Sequence, residues 1–96
     1  MHYILFYDFV DSFLEKRTKY RGVHLQHVRE AFERGEVVLA GALADPTDRG
    51  VLIFHGTHPG AAEAFAKADP YVVNGLVTSW SVRKWVTVIG EGSTPP

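Results

Sequence analysis

No cysteine occurs in this chain of 96 residues, which excludes disulfide cross-links, a thiol nucleophile and thiolate-held metal or iron–sulfur centres. An excess of one charge is missing too: ten basic residues are scattered among eleven acidic ones, for a formal net charge of −1. Such a balance supplies no long-range field to draw in nucleic acid or an acidic membrane, so neither partner is expected. No apolar run reaches the length of a membrane span. Met1 leads directly into a strand-like segment without a basic stretch, an export-length apolar run or a cleavage site, so no signal peptide is expected either. A cytoplasmic protein is the default, and the lack of cysteine fits a reducing compartment. The nine glycines match neither a phosphate loop nor a dinucleotide-binding turn, and Ser79 and Ser81 lack the strained turn of a serine nucleophile. No cofactor is expected, and a covalent serine hydrolase is disfavoured.

What is present is enough for one globular domain over residues 1–96. Apolar residues make up 46% and charged residues 22% of the chain, an ordinary globular balance. At this length about a third of the unfolded chain's surface stays exposed after folding, so burial in an oligomer would add stability. The run Tyr3 to Tyr7, dense in aromatic and branched side chains, predicts a central strand. From Ser12 to Arg34 the pattern turns helical, with Tyr20, His24, His27, Val28 and Ala31 near one face. Gly22 weakens that helix in its middle, so its first turns are read as loop or a separate short helix, and Gly35 is the expected left-handed stop. Val37–Leu43 and Val51–Phe54 predict an antiparallel hairpin. The alanine-rich stretch from Pro59 to Ala68 predicts a helix that can lie close to a sheet, ended by Asp69-Pro70. Residues 76–89 alternate imperfectly and predict a long last strand, broken near Arg83-Lys84, before a frayed end over residues 90–96.

This order of strand, helix, strand, taken twice, predicts an α+β fold: a four-stranded antiparallel sheet with two helices on one face. The opposite face then needs solvent or a second subunit. Aromatic residues on the first and last strands favour a homodimer closed through the open sheet face, which also creates a cavity in each half.

The sharpest candidate chemistry is a pair, His24 on the first long helix and Asp69 before the turn proline, 45 positions apart. Histidine can take or give a proton near neutral pH, and a carboxylate can orient it. The plain alternative is that His24 fills a helix–sheet gap while Asp69 caps a local turn through Pro70 and Tyr71. From pattern alone the plain alternative is favoured. Arg17 and Arg21, four apart, offer a positive edge to a small carboxylate or enolate, against the simpler reading of a solvated helix face. Tyr7, Tyr71, Trp80 and Trp85 offer an apolar pocket with hydrogen-bonding ends, of which at most two are expected to touch a ligand. His27 shares the face of His24, but the pair lacks an acidic third ligand, so no metal site is expected. His55 and His58 read as exposed loop residues, and His2 as uninformative.

Several stretches together resemble the YCII-related family, also called YciI-like proteins. They are Tyr3–Asp8; Arg17 with Tyr20–Leu25; Gly35–Leu43; Val51–Phe54; and Ala68–Val77. The likeness spans about residues 2 to 86. It implies the ferredoxin-like fold of the dimeric α+β barrel proteins, a group that includes muconolactone isomerases and small monooxygenases. It also implies an active-site histidine and aspartate at His24 and Asp69, reversing the preference stated above. A relative in that family acts as a dehydrochlorinase on chlorinated hydroxyquinols, although fold alone licenses no substrate. This chain has Gly41-Ala42 where Gly-Pro is common, and Arg83-Lys84-Trp85 where an Arg-Pro-aromatic ending is common.

Two functions from different classes follow. One is a cofactor-independent enzyme using His24 and Asp69 for acid–base chemistry, of isomerase or lyase type, on a small cyclic or aromatic oxygenated metabolite. In it Arg17, Arg21, Tyr7, Tyr71 and Trp80 contact the substrate. The other is a module that binds or senses such a molecule without changing it. A purely structural dimer and a cofactor-free oxygenase complete the alternatives.

Overall fold

A computed structural model describes residues 1–95. Its elements are β1 (His2–Phe9), α1 (Phe13–Lys16), a 3₁₀ turn (Arg17–Lys19), α2 (Arg21–Glu33), β2 (Val37–Ala42), β3 (Arg49–His55), α3 (Gly60–Ala68), α4 (Pro70–Val73) and β4 (Val77–Trp85). The sheet order is β2-β3-β1-β4, and every pairing is antiparallel. This is the predicted α+β, ferredoxin-like arrangement: the two strands that open the halves, β1 and β3, lie side by side in the centre.

Alternation along β1 decides which residues meet the helices. Tyr3, Leu5 and Tyr7 turn to one face and are buried, while Ile4, Phe6 and Asp8 turn to the other and are half-exposed. Leu52 and Phe54 stand beside Leu5 and Tyr3 in the register and share their burial. Against this layer pack Ala31 from α2 and Ala62, Phe65 and Ala66 from α3. The small side chains of α3 let its backbone approach the sheet, which is what its alanine content predicts. A second, smaller cluster joins Phe13, Tyr71 and Leu76 at the end of the sheet where β1 finishes.

The helical region after β1 is divided, as Gly22 suggests, although not at that residue. A four-residue helix and a 3₁₀ turn precede α2, which starts at Arg21, so Gly22 falls in the first turn where its cost is small. At the other end Gly35 adopts φ 77°, and the N–H groups of Gly35 and Glu36 close on the carbonyls of Phe32 and Ala31. The last strand is shorter than predicted and is not interrupted at Arg83-Lys84. It ends at Trp85, which pairs with His2, because β1 supplies no partner beyond that residue.

Within the segment predicted to fray, the Gly92 carbonyl accepts from the Met1 amino group at 2.7 Å, and the Thr94 N–H donates to the Thr87 carbonyl at 2.8 Å. Pro96, the last residue of that predicted segment, lies outside the described residues. His2 is also more informative than its position in the chain suggests. It is buried, bonds Thr87 Oγ1 through Nδ1 at 2.7 Å, and lies edge-on to His55. Burial first, then the Met1 ammonium and His55, lower its pKa. Among the described residues no helix is long and apolar enough to cross a membrane, and no cluster of three or more His, Cys, Asp or Glu side chains is placed to hold a metal ion.

Candidate functional site

Asp69 is where α3 ends and α4 begins. The residue before proline is driven out of the helical region, and Asp69 accordingly adopts φ −66°, ψ 125°. That extended conformation ends α3 and makes Asp69 the N-cap of α4, with Oδ1 accepting from the Tyr71 N–H at 3.0 Å. Its carboxylate is completely buried, and the other two bonds come from far along the chain. His24 Nδ1 lies 2.8 Å from Oδ1, and the Tyr7 hydroxyl donates to Oδ2 at 2.8 Å. The local cap and the long-range pair are therefore the same carboxylate.

His24 projects from the first half of α2, and its imidazole lies flat on the Tyr71 ring, with 3.7 Å between centroids and 6° between planes. Because the Asp69 carboxylate is an acceptor, the proton of the neutral imidazole is assigned to Nδ1. Nε2, on the opposite edge of the ring, is then the basic atom. His24 retains 14% of its side-chain exposure. That exposure is onto a cavity of about 140 Å³.

The cavity lies between the start of the helical region and the β2–β3 side of the sheet. Its aromatic wall consists of Phe9 and Phe13, stacked with 3.6 Å between centroids, and Tyr71, set edge-on to Phe13 at 5.4 Å. Arg17 and Arg21 supply its charge, and Leu25 and Val28 on α2 continue the apolar lining. The opposite wall is built from small residues, Ala40, Gly41 and Ala42 on β2 and Gly50 on β3. Gly50 faces Tyr7 across the β1–β3 ladder, and a Cβ there would come within 2.9 Å of Phe9 Cζ. The missing side chain thus keeps the Phe9 ring where it is. Among the described residues no Asp or Glu lines the cavity; its lining carries the two guanidinium groups, and the Asp69 carboxylate lies buried behind His24 and Tyr7. Burial raises the Tyr71 pKa, while the Arg21 and Arg17 charges pull in the opposite direction.

Of the residues that the sequence singles out, His24 and Asp69 are in direct contact, and Arg17, Arg21, Tyr7 and Tyr71 line the same cavity. Tyr7 is only 1% exposed, and its hydroxyl is turned to Asp69. Burial and the neighbouring carboxylate hold its pKa well above the ordinary phenol range. Trp80 is not part of the lining. It stands opposite Tyr7 on β4 and packs against the main core, so its ring is committed to packing. Trp85 lies on the edge strand near His2, away from the cavity. His27 bonds the Phe65 carbonyl at 3.0 Å and stacks on the Phe65 ring, joining α2 to α3. Sequence reasoning missed Phe9, Phe13, Ala40 and Gly50. Of these only Ala40 has a trace in the sequence, the run of small residues in β2, which leaves space that bulky strand residues would fill.

A profile of the YCII-related domain matches residues 1–86. The protein YciI of Escherichia coli O6:H1 is 34% identical, across 92% of this chain and 99% of the relative. The Shigella flexneri protein YciI gives the same figures, 34% identity, 92% and 99% coverage. Among solved structures, a 5-chloro-2-hydroxyhydroquinone dehydrochlorinase from Burkholderia phenoliruptrix, in complex with 2,5-dihydroxybenzoquinone, superposes with a TM-score of 0.75. The match covers 98% of this chain and 100% of that one at 16% identity, a level at which the likeness carries the fold and not the chemistry. With the profile covering nearly all of the described domain and a curated relative above 30% identity along its length, this chain belongs to the YCII-related family.

Proposed function

We propose that the protein is a cofactor-independent acid–base enzyme acting on a small cyclic or aromatic oxygenated compound, by isomerisation or elimination through an enolate. The observation that carries this reading is the bond from His24 Nδ1 to the buried Asp69 carboxylate, which leaves Nε2 as the free basic atom of the ring. His24 takes a proton from bound substrate at Nε2, and Asp69 orients the ring and stabilises the imidazolium that forms. Arg17 and Arg21 hold the negative charge that develops on the substrate oxygen. A cavity of about 140 Å³ suits one ring: an apolar cavity of about 150 Å³ accommodates benzene. The fold neighbour's complex with 2,5-dihydroxybenzoquinone makes hydroxylated quinones and chlorinated hydroxyquinols the first compounds to test.

The test is to incubate the protein with such compounds, following their absorbance and chloride release, alongside His24→Ala and Asp69→Asn. Turnover that is lost in both folded variants supports the enzyme. Saturable binding without chemical change, equal in wild type and Asp69→Asn, would replace it with a binding or sensing module.

The working unit is proposed to be a homodimer of single-domain chains in the cytoplasm, closed through the open sheet face. That face carries Ile4, Phe6, Val51 and Ile53, all half-exposed, and Leu39, 70% exposed on the edge strand. Sedimentation equilibrium checks this: Ile53→Arg is expected to give monomers, and a wild-type monomer at high concentration would overturn it.

A further inference from the structure

Tyr7 has the residue type of a ligand contact but the surroundings of something else. It sits in β1 between Gly50 on β3 and Trp80 on β4, buried on the helix side of the sheet. Its single donor proton is committed to Asp69 Oδ2 at 2.8 Å. A phenol placed in this way has no proton left to offer a substrate.

The three donors divide unequally over the carboxylate. Oδ1 accepts two N–H groups, from His24 and from Tyr71, whereas Oδ2 accepts only from Tyr7. Without that hydroxyl, Oδ2 becomes a buried anionic oxygen with no protein donor. Such an oxygen is costly, and the carboxylate can relieve the cost by turning about its Cβ–Cγ bond toward the donors that remain. Turning it misaligns Oδ1 with His24 Nδ1, the contact that selects the imidazole tautomer. No other side chain bonds Oδ2 among the described residues, so the orientation of the carboxylate plane depends on this one contact.

We infer that Tyr7 is a positioning residue: by donating to Asp69 Oδ2 it fixes the carboxylate so that Oδ1 meets His24 Nδ1, which keeps the neutral ring in the Nδ1–H form with Nε2 free for proton transfer. This rests on the acid–base reading of His24 and Asp69 given above. The elevated pKa of the Tyr7 phenol agrees with the geometry, because a hydroxyl that stays protonated remains a donor at any pH at which the site would work. The arrangement also places the anchor in an inner strand that is paired on both sides, so the carboxylate on the helix junction is referenced to the sheet.

The test uses ¹⁵N-labelled protein and long-range ring correlations of His24 at a pH at which the imidazole is neutral, in wild type, Tyr7→Phe and Asp69→Asn. Tyr7→Phe keeps the ring and its packing and removes only the hydroxyl. In wild type the Nδ1–H form is expected alone. In Tyr7→Phe the ratio of Nε2–H to Nδ1–H is expected to rise about tenfold, the scale of losing a hydrogen bond to a charged group. A His24 pattern unchanged in folded Tyr7→Phe but altered in Asp69→Asn overturns the positioning role and leaves the acid–base reading standing. A pattern unmoved in both overturns the two together. Should Tyr7→Phe fail to fold, the unaltered protein carries the test: the Tyr7 hydroxyl proton must give its own exchange-protected signal, and rapid exchange with water refutes the bond on which the inference stands.

Discussion

Replacing Asp69 with alanine should destabilise the protein by about 3 kcal/mol, through hydrogen bonding more than through lost volume. Asp69 is fully buried and accepts from Tyr7, His24 and Tyr71. Of these donors, His24 keeps some exposure and can turn to water. The Tyr7 hydroxyl and the Tyr71 N–H lie in buried surroundings, and each unpaired buried donor costs about 1–3 kcal/mol. The second of them is also the cap of α4, a contact of about 1 kcal/mol when replaced by alanine. Against this stands relief from burying a charge, which removes part of the sum. Asparagine keeps one carbonyl oxygen for the two N–H donors of Oδ1, and its amide can donate to the Tyr7 oxygen. Asp69→Asn should therefore cost about half as much as Asp69→Ala. Urea unfolding followed by far-UV circular dichroism, at one fixed protein concentration, measures both. In a domain of this size about 3 kcal/mol corresponds to a drop of about 12–24 °C in Tm. If Asp69→Ala lost under about 0.5 kcal/mol, or if asparagine proved worse than alanine, the hydrogen-bond account would be wrong.

The phenols give the protein an alkaline limit. Both Tyr7 and Tyr71 have folded pKa values raised above the ordinary 10.0, for Tyr7 by burial and then by Asp69, so the unfolded chain releases its protons first as pH rises. Their contribution to stability is complete below about pH 10 and declines above it. Urea midpoints measured from pH 8 to 11.5 should fall at the alkaline end, less steeply in Tyr7→Phe, and identical slopes would contradict this. Phe13→Ala should cost about 3 kcal/mol in the same assay, because the ring is buried, stacked on Phe9 and set edge-on to Tyr71. If the proposed function holds, Gly50→Ala should fold but bind small cyclic compounds less tightly, since its Cβ drives the Phe9 ring from its position against the cavity. Isothermal titration with 2,5-dihydroxybenzoquinone reads that difference, and unchanged affinity would show that the Phe9 position does not matter to the occupant.

The sequence by itself determined the four strands, the two main helices and their order, but not α4, the short helix that starts at Pro70. Strands made of alternating or continuously branched residues, an alanine-rich helix and the Asp69-Pro70 stop are local signals, and backbone sterics with hydrophobic periodicity act locally too. Boundaries were legible only where a local signal marks them, as at Gly35. The end of β4 at Trp85 depends on where β1 runs out, a fact of pairing that the alternation of residues 86–89 does not contain. The same division runs through the site. The residue types mark His24 and Asp69 as a possible acid–base pair, but pattern alone favours a structural role for each, and it is the family resemblance that reverses that preference. Their contact across 45 positions is made by packing α2 beside α4 on one sheet face. Tertiary structure also gave Tyr7 and Trp80 their parts, because a strand's alternation says which face an aromatic ring takes but not what waits there. Tyr7 met a buried carboxylate, and Trp80 met the core. The cavity itself is a property of the fold alone: it is the space that Ala40, Ala42 and Gly50 leave unfilled opposite Phe9, Phe13 and His24, and empty space between segments distant in sequence has no local signature.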